Sequence, residues 1–404
     1  MTRDPEVRVV HLADYGGPYA GSFVPMLRAA CRRVAREGWQ PEIVLAEVAR
    51  NRPWLSELHE EGTRVRFAPA SGSTRSSLRE LLAESDVPTV LHTHFTSFDL
   101  PAALAARGRA RTPVFWHLHH HIRSTPRVLA TNALKYGVAG RIVAGILCVA
   151  PDVAAATRRR LAPVDRVAFF PNAIDTSRFV PATEPERATA RARLGLPADA
   201  TVLLHFGWDW LRKGGDLLLR AASLLQREGR RLVVLTVGAG DDARALATDL
   251  GLGGSLVVQP PTDELSALYA SADVFVSSSR AEGMPFAVTE ALCSGVPVVA
   301  TDIPGHAVQC AGLAAARLTT EEPSDLAEAI RSLLDRASQT AAADARDARE
   351  RIVGRFDLGA WSDRLFHLYE RALDGRTGRA LLRFDELEHQ MIDRKLTGNR
   401  GTAG

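Results

Sequence analysis

The chain has 404 residues, of which 46% are hydrophobic and 24% charged, with a formal net charge of +3. That composition belongs to a globular protein with substantial cores, and the length suggests two or three domains. So small a charge gives no argument for a nucleic-acid partner, and none is expected.

The start, "MTRDPEVRVVHLADYGG", lacks the long apolar core of a signal peptide. "VRVVHLA" reads as a strand, followed by a glycine turn and the helix "FVPMLRAACRRVAREG". "PEIVLAEV", "RVRFAPA", "TVLHTHF", "PVFWHLH" and "GILCVA" follow as strands, with helical or mixed segments between them. This alternation predicts a parallel sheet with crossover helices. The most apolar window, "RIVAGILCVAPDVAAA", is broken by Pro151 and Asp152 and is too short to span a bilayer. No transmembrane segment is expected, and a cytoplasmic location is.

"FFPNAIDTSRFVPATEPERATARARLGLP" is rich in Pro, Thr and charge and reads as a linker. The alternation then restarts with "ATVLLHFGW", "RLVVLTVG", "SLVVQP", "DVFVSSS" and "VPVVAT". Two doubly wound α/β domains facing a central cleft are expected, with ligands at the C-terminal ends of the strands. "LGAWSDRLFHLYERALD" has Leu358, Trp361, Leu365, Leu368 and Tyr369 near helical spacing and predicts a helix packed on a domain surface. "KLTGNRGTAG" reads as a disordered tail. Cys31, Cys148, Cys293 and Cys310 show no CxxC spacing and read as reduced structural thiols.

The segment "AEGMPFAVTEALCSGVPVVAT" carries two acids in an apolar setting. In one continuous helix Glu282 and Glu290 would lie roughly 80° apart in azimuth and about two turns apart, so they would not pair. Pro285 suits the first helical position and Gly295 the position just past the end. Glu282 then falls in the loop before the helix and Glu290 in its second turn. Gly283 permits close backbone approach. Free N–H groups near Met284 and Phe286 make an anion site. The carboxylates would turn to neutral hydroxyls on either side. The plainer alternative is a capped helix with one surface glutamate and one in a salt bridge.

The same stretch resembles the signature of family 4 retaining glycosyltransferases, which have the GT-B fold of two Rossmann-like domains. "GGPYAG", "VLHTHF", "PVFWHLH", "FPNAID", "HFG…RKGGDLLL" and "LSALYASADVFVSSS" extend the resemblance in order and spacing from about residue 7 to residue 370. It implies an acceptor-binding domain over 1–175, with the helix at about 358–385 packing back on it. A nucleotide-sugar-binding domain would span 176–357, and the tail 394–404.

It further implies roles for single residues. Glu282 would hold the donor sugar and Glu290 the ribose. The main chain of Gly283, Met284, Pro285 and Phe286 would contact sugar and diphosphate. Lys213, one of three lysines, would neutralise the leaving diphosphate with help from Arg212. A lone surface lysine is the plainer reading of Lys213. Many members carry Arg where this chain has Trp208, which puts one phosphate contact in doubt. Trp208 and Trp210 could instead shape the pocket or simply pack. His119 takes the place of the family's active-site histidine, against the donor sugar. His117, His119 and His121 share one strand face, but no acidic or Cys cluster stands near, and neither metal nor other cofactor is expected. Gly16 and Gly17 would lie over the diphosphate, or merely supply a turn. Asn172 and Asp175 would fix the domain junction, and His92 and His94 follow a structural pattern.

The resemblance thus implies transfer of a sugar, with retention, from a nucleotide sugar to a hydroxyl of an acceptor. A UDP-sugar is the default donor, and a small natural product or cell-envelope precursor the acceptor class. A nucleotide-sugar epimerase of the same architecture and a non-catalytic sugar-nucleotide-binding protein are the alternatives; a dehydrogenase is disfavoured because "ADYGGPYAGSF" is not GxGxxG. Peripheral contact with the inner membrane face stays open through the basic run "ATRRRLAPVDR". Oligomeric state is not legible.

Overall fold

The computed structural model describes residues 7–60, 62–69, 74–120, 126–375 and 381. Among these the chain divides into two compact units, 7–173 with 358–375 and 381, and 174–357. His121 and the segment 394–404 lie outside the described residues, as does the expected helix beyond 375 apart from Leu381.

Unit 1 is built on a parallel sheet of β1 (Arg8–Ala13), β2 (Gln40–Ala46), β3 (Arg64–Ala68), β4 (Thr89–His94), β5 (Val114–Leu118), β6 (Gly145–Cys148) and β7 (Val167–Phe169). The strand order is β3-β2-β1-β4-β5-β6-β7. The order reverses between β1 and β4, so the strand ends there form a topological switch point, where ligands bind in such folds. The central strands are buried throughout, because helices cover both faces of a parallel sheet. The helix Leu358–Leu373 belongs to this unit. Trp361 donates from Nε1 to the Pro171 carbonyl at 2.9 Å, and the Phe366 ring lies 4.7 Å from that of Trp39.

Unit 2 repeats the architecture with β8 (Thr201–Phe206), β9 (Leu232–Val237), β10 (Leu256–Gln259), β11 (Val274–Ser277), β12 (Val298–Thr301) and β13 (Ala316–Thr319). The order is β10-β9-β8-β11-β12-β13, with its switch point between β8 and β11. Leu218, Leu219, Ala222 and Leu225 of the helix Gly215–Arg227 form one core with Leu203, Val276 and Ile330.

One expectation is corrected here. The stretch read as a linker starts at the last residue of β7 and contains a ten-residue helix, Glu184–Arg193. A capping box of Thr183 and Glu186 starts that helix, and Arg191 holds it to Asp273 at 2.6 Å. Its anchors are long-range ion pairs, so its polar composition masked it. The basic run 156–166 is largely spent on the fold. Arg158 donates to the Val167 carbonyl, Arg160 to Ala156 and Arg166 to Val143. Among the described residues no helix is long and apolar enough to cross a membrane. The four cysteines are buried, and none is in a disulfide.

Candidate active site

In unit 2, two loops leave the switch point side by side. One follows β8 and carries Trp208, Arg212 and Lys213; the other follows β11 and carries Glu282. They are stitched together. Arg280 N–H donates to the Arg212 carbonyl at 2.8 Å, and Ser278 Oγ to the Gly214 carbonyl at 2.7 Å. Arg280 grips Asp216 through two bonds of 2.8 Å. Gly214 has φ +68°, and a Cβ on it would lie 1.8 Å from the Ser278 carbonyl oxygen. Only glycine fits there.

The charged groups converge on one oxygen. Lys213 Nζ lies 2.6 Å from Glu282 Oε1, Arg212 Nη1 lies 3.2 Å from it, and Ser279 Oγ donates to it at 3.0 Å. None of these contacts uses Oε2. Burial pushes the Glu282 carboxyl up, but Lys213 and then Arg212 outweigh it, and the group is held below its usual range. Lys213 also stands over the Trp208 ring at 4.9 Å, a cation–π contact. Trp208 is 54% exposed and stacks on Phe206, whereas Trp210 packs against the core beside Gly215.

The helix Phe286–Cys293 begins one residue later than the sequence suggests, with extended Pro285 as its cap. Pro285 therefore brackets the helix from outside, and its carbonyl accepts from Gln309 Nε2 at 2.7 Å. Gly295, φ +74°, closes the helix with N–H to Leu292, and Val296 N–H reaches Ala291. Glu282 lies in the preceding loop and Glu290 in the second turn. Gly283, Met284 and Pro285 are buried. A Cβ on Gly305 would come within 2.2 Å of the Gly283 carbonyl oxygen, so Gly305 and the 282–283 backbone are in close contact. His306 donates Nδ1–H to the Thr301 carbonyl and accepts at Nε2 from Ser277, bracing the end of β11. Glu290 is buried, and its Oε2 accepts the Tyr269 hydroxyl at 2.7 Å. Tyr269 was not singled out in the sequence; it lies 21 residues away, and no local pattern links the two.

In unit 1 the switch point is aromatic. Phe95, a non-glycine residue with φ +68°, follows β4. Its ring stacks on Tyr15 at 6.1 Å and on His120 at 5.4 Å, and lies 5.0 Å from His119. A strained phenylalanine beside a candidate site is a functional signal that only dihedrals reveal. Gly16 and Gly17 are not at a helix entrance, since the helix Phe23–Arg36 begins beyond an intervening loop. Gly16 packs closely on Val48: a Cβ would lie 2.4 Å from Val48 Cγ1, so that side chain would have to shift. The Gly17 carbonyl accepts from Trp54. His119 has both ring nitrogens engaged, Nδ1 with Asn172 Oδ1 at 3.1 Å and Nε2 with His94 at 3.2 Å. Burial first, then His117 and His120, keeps it well below its ordinary titration range. Asn172 thus grips a site residue as well as lying beside the unit boundary, while Asp175 caps Ser177.

The arrangement in unit 2 offers two cations, a helix N-terminus and two carboxylates at the switch point, a set suited to an anionic, hydroxyl-bearing ligand. Comparison with known proteins agrees. Residues 200–336 match the family model for glycosyl transferases group 1, and residues 24–178 that for Glycosyltransferase Family 4. The chain is 31% identical to D-inositol 3-phosphate glycosyltransferase 1 of Catenulispora acidiphila, over 91% of this chain and 95% of that protein. It is 32% identical to a GDP-mannose-dependent alpha-(1-6)-phosphatidylinositol monomannoside mannosyltransferase of Mycolicibacterium smegmatis, over 56% of this chain and 61% of that one. Among solved structures, Anabaena HepE in complex with UDP and glucose superposes with a TM-score of 0.76 at 18% identity, covering 89% of this chain and 98% of that one. A Rickettsia africae glycosyltransferase superposes at 0.78 with 15% identity, covering 92% and 99%.

Proposed function

The chain belongs to the family 4 glycosyltransferases, of GT-B fold, and from that membership we propose that it moves a sugar from a nucleoside diphosphate donor to an acceptor hydroxyl with retention at the anomeric carbon. The observation that carries the donor reading is the convergence of Lys213, Arg212 and Glu282 beside the helix Phe286–Cys293. The N–H groups of that helix's first turn and the two cations would take the diphosphate. Glu282, its Oε2 unused by these cations, would accept from sugar hydroxyls. Glu290, oriented by Tyr269, would accept from the ribose.

On bond breaking, negative charge grows on the leaving diphosphate. Lys213 and the helix N-terminus are placed to stabilise it without reorganisation. The leaving phosphate would take the acceptor proton on the same face, so no carboxylate nucleophile is needed. With charge neutralised by side chains, activity is expected to persist in a chelator.

A UDP-sugar is our first candidate donor; HepE is described with UDP, and the mycobacterial relative is named for GDP-mannose. The relatives' names also supply the first acceptors to assay, D-inositol 3-phosphate and a phosphatidylinositol mannoside. The test is a panel of UDP- and GDP-sugars scored by thermal shift, slow hydrolysis and transfer with EDTA present, with the product anomer read by proton NMR. Stabilisation by one donor and a retained anomer are expected. No stabilisation by any nucleotide sugar, or an inverted product, would overturn the reading. Sugar conversion by donor alone would indicate an epimerase.

A further inference from the structure

Among the described residues, unit 1 carries five histidines on one face of its sheet. His11 lies on β1, His92 and His94 on β4, and His117 and His119 on β5 and its end. The register pairs His11 with His92 and His94 with His117. The first four are fully buried. Three of the five form a line. His11 Nδ1 lies 3.0 Å from His94 Nε2, His94 Nδ1 lies 3.2 Å from His119 Nε2, and His119 Nδ1 lies 3.1 Å from Asn172 Oδ1.

The ring geometry says what these contacts are. His11 and His94 are tilted by only 22° with centroids 5.3 Å apart, and His94 and His119 by 29° at 5.4 Å. Neighbours along each strand are closer, at 4.4 Å for His92 and His94 and 4.2 Å for His117 and His119. The two longer pairs are the ones that meet through ring nitrogens. Groups of three histidines do bring ring nitrogens within 4.8 Å of one another. Two nitrogens sharing a metal at about 2.0–2.1 Å would aim their lone pairs at a point off the line between them. Here the nitrogens stand 3.0 and 3.2 Å apart, the separation of an imidazole–imidazole hydrogen bond.

Each neutral imidazole has one donor and one acceptor. Burial is the first cause holding His11, His94 and His119 neutral. The line can therefore have only one polarity at a time. Asn172 Oδ1 can only accept, so His119 donates from Nδ1 and accepts at Nε2. His94 must then donate from Nδ1, and so must His11. The far end, His11 Nε2, is a buried lone pair with no partner among the described residues.

We infer that Asn172, His94 and His11 are positioning residues that fix His119 in the Nδ1–H tautomer and in its ring orientation through this hydrogen-bonded line. Loss of one neutral link is worth about tenfold in a rate that depends on it. The kinetic part rests on the reading that His119 works at the reacting sugar; the tautomer part does not.

The experiment is long-range proton–nitrogen NMR of the full chain labelled with 15N-histidine, assigned with His11→Gln and His94→Gln, beside kinetics of Asn172→Ala and Asn172→Asp. Nδ1–H tautomers at His11, His94 and His119 at pH 7 are expected. Asn172→Ala should release the His119 tautomer and lower kcat about tenfold with donor KM little changed. Asn172→Asp keeps the acceptor and should keep tautomer and rate. An Nε2–H tautomer at His94 or His119, or a charged ring at pH 7, would overturn the line. A shifted tautomer with unchanged kcat would overturn the positioning role. A wild type inert toward every donor would sink the proposed function, while the spectra would still decide the line.

Discussion

Lys213 Nζ and Glu282 Oε1 meet at 2.6 Å, with 11% of each side chain exposed. The two groups neutralise each other. On the proposed function, a diphosphate would compete with Glu282 for Lys213 and leave the carboxylate to sugar hydroxyls, so that the two ends of the donor would be coupled through one ion pair.

Lys213→Ala should lower kcat by about 10²–10³, the usual loss when one preorganised donor to a developing anion is removed. Steady-state rates with saturating donor would check it. A fall confined to KM would mean that Lys213 contributes only ground-state binding.

The two glutamates should fail differently. Glu290→Ala should weaken UDP binding by calorimetry by about tenfold or more, as one charge-assisted bond is lost. Glu282→Ala, which also releases Lys213, should leave UDP affinity intact or somewhat tighter and slow transfer. Tyr269→Phe frees Glu290 from its hydrogen bond and should weaken UDP binding by a smaller factor of about threefold. Equal loss of UDP affinity in both alanine variants would defeat this division.

Trp208→Arg should tighten UDP binding, because it puts a cation where many family members carry one. Trp208→Ala should cost about 0.5–1 kcal/mol through loss of the contact with Lys213. Calorimetry with UDP separates the two. Weaker binding in the arginine variant would show that a third cation cannot join Arg212 and Lys213 in this loop.

Gly305→Ala should reduce donor affinity by displacing the Gly283 backbone, since the added carbon would lie 2.2 Å from the Gly283 oxygen. Gly253→Ala, with nothing within 4 Å, is the control and should bind normally. Unchanged affinity in Gly305→Ala would mean that the 282–283 loop yields freely.

Acid should destabilise the fold from pH 6.5 downward. Burial lowers His11 and His117 to about 3 and His205 and His306 to about 4. Between those values and the ordinary 6.5 the unfolded chain holds protons that the folded chain lacks, so stability rises with pH there. Each such histidine adds a slope of about 1.4 kcal/mol per pH unit. Urea midpoints should hold above pH 7 and fall steeply between 6.5 and 5. A midpoint unchanged down to pH 5 would contradict this.

The alternation of apolar runs and amphipathic segments was enough to read β1 to β6 and β8 to β12, because buried parallel strands are continuous apolar runs. β7 and β13 escaped, because β7 has only three residues and Arg317 interrupts the apolar run of β13. The loop-then-helix placement of Glu282 and Glu290 was also legible, since Pro285 and Gly295 bracket the helix through local backbone constraints.

Local constraints carry such information in neighbouring residues, so a sequence determines them alone. Pairings across distant strands have no such signature. That Lys213 would close on Glu282, Tyr269 on Glu290 and Asn172 on His119, or that Phe95 would hold a left-handed backbone, was decided when the switch-point loops packed together. In each case the partner that completes a buried charge or hydrogen bond comes from another loop or element.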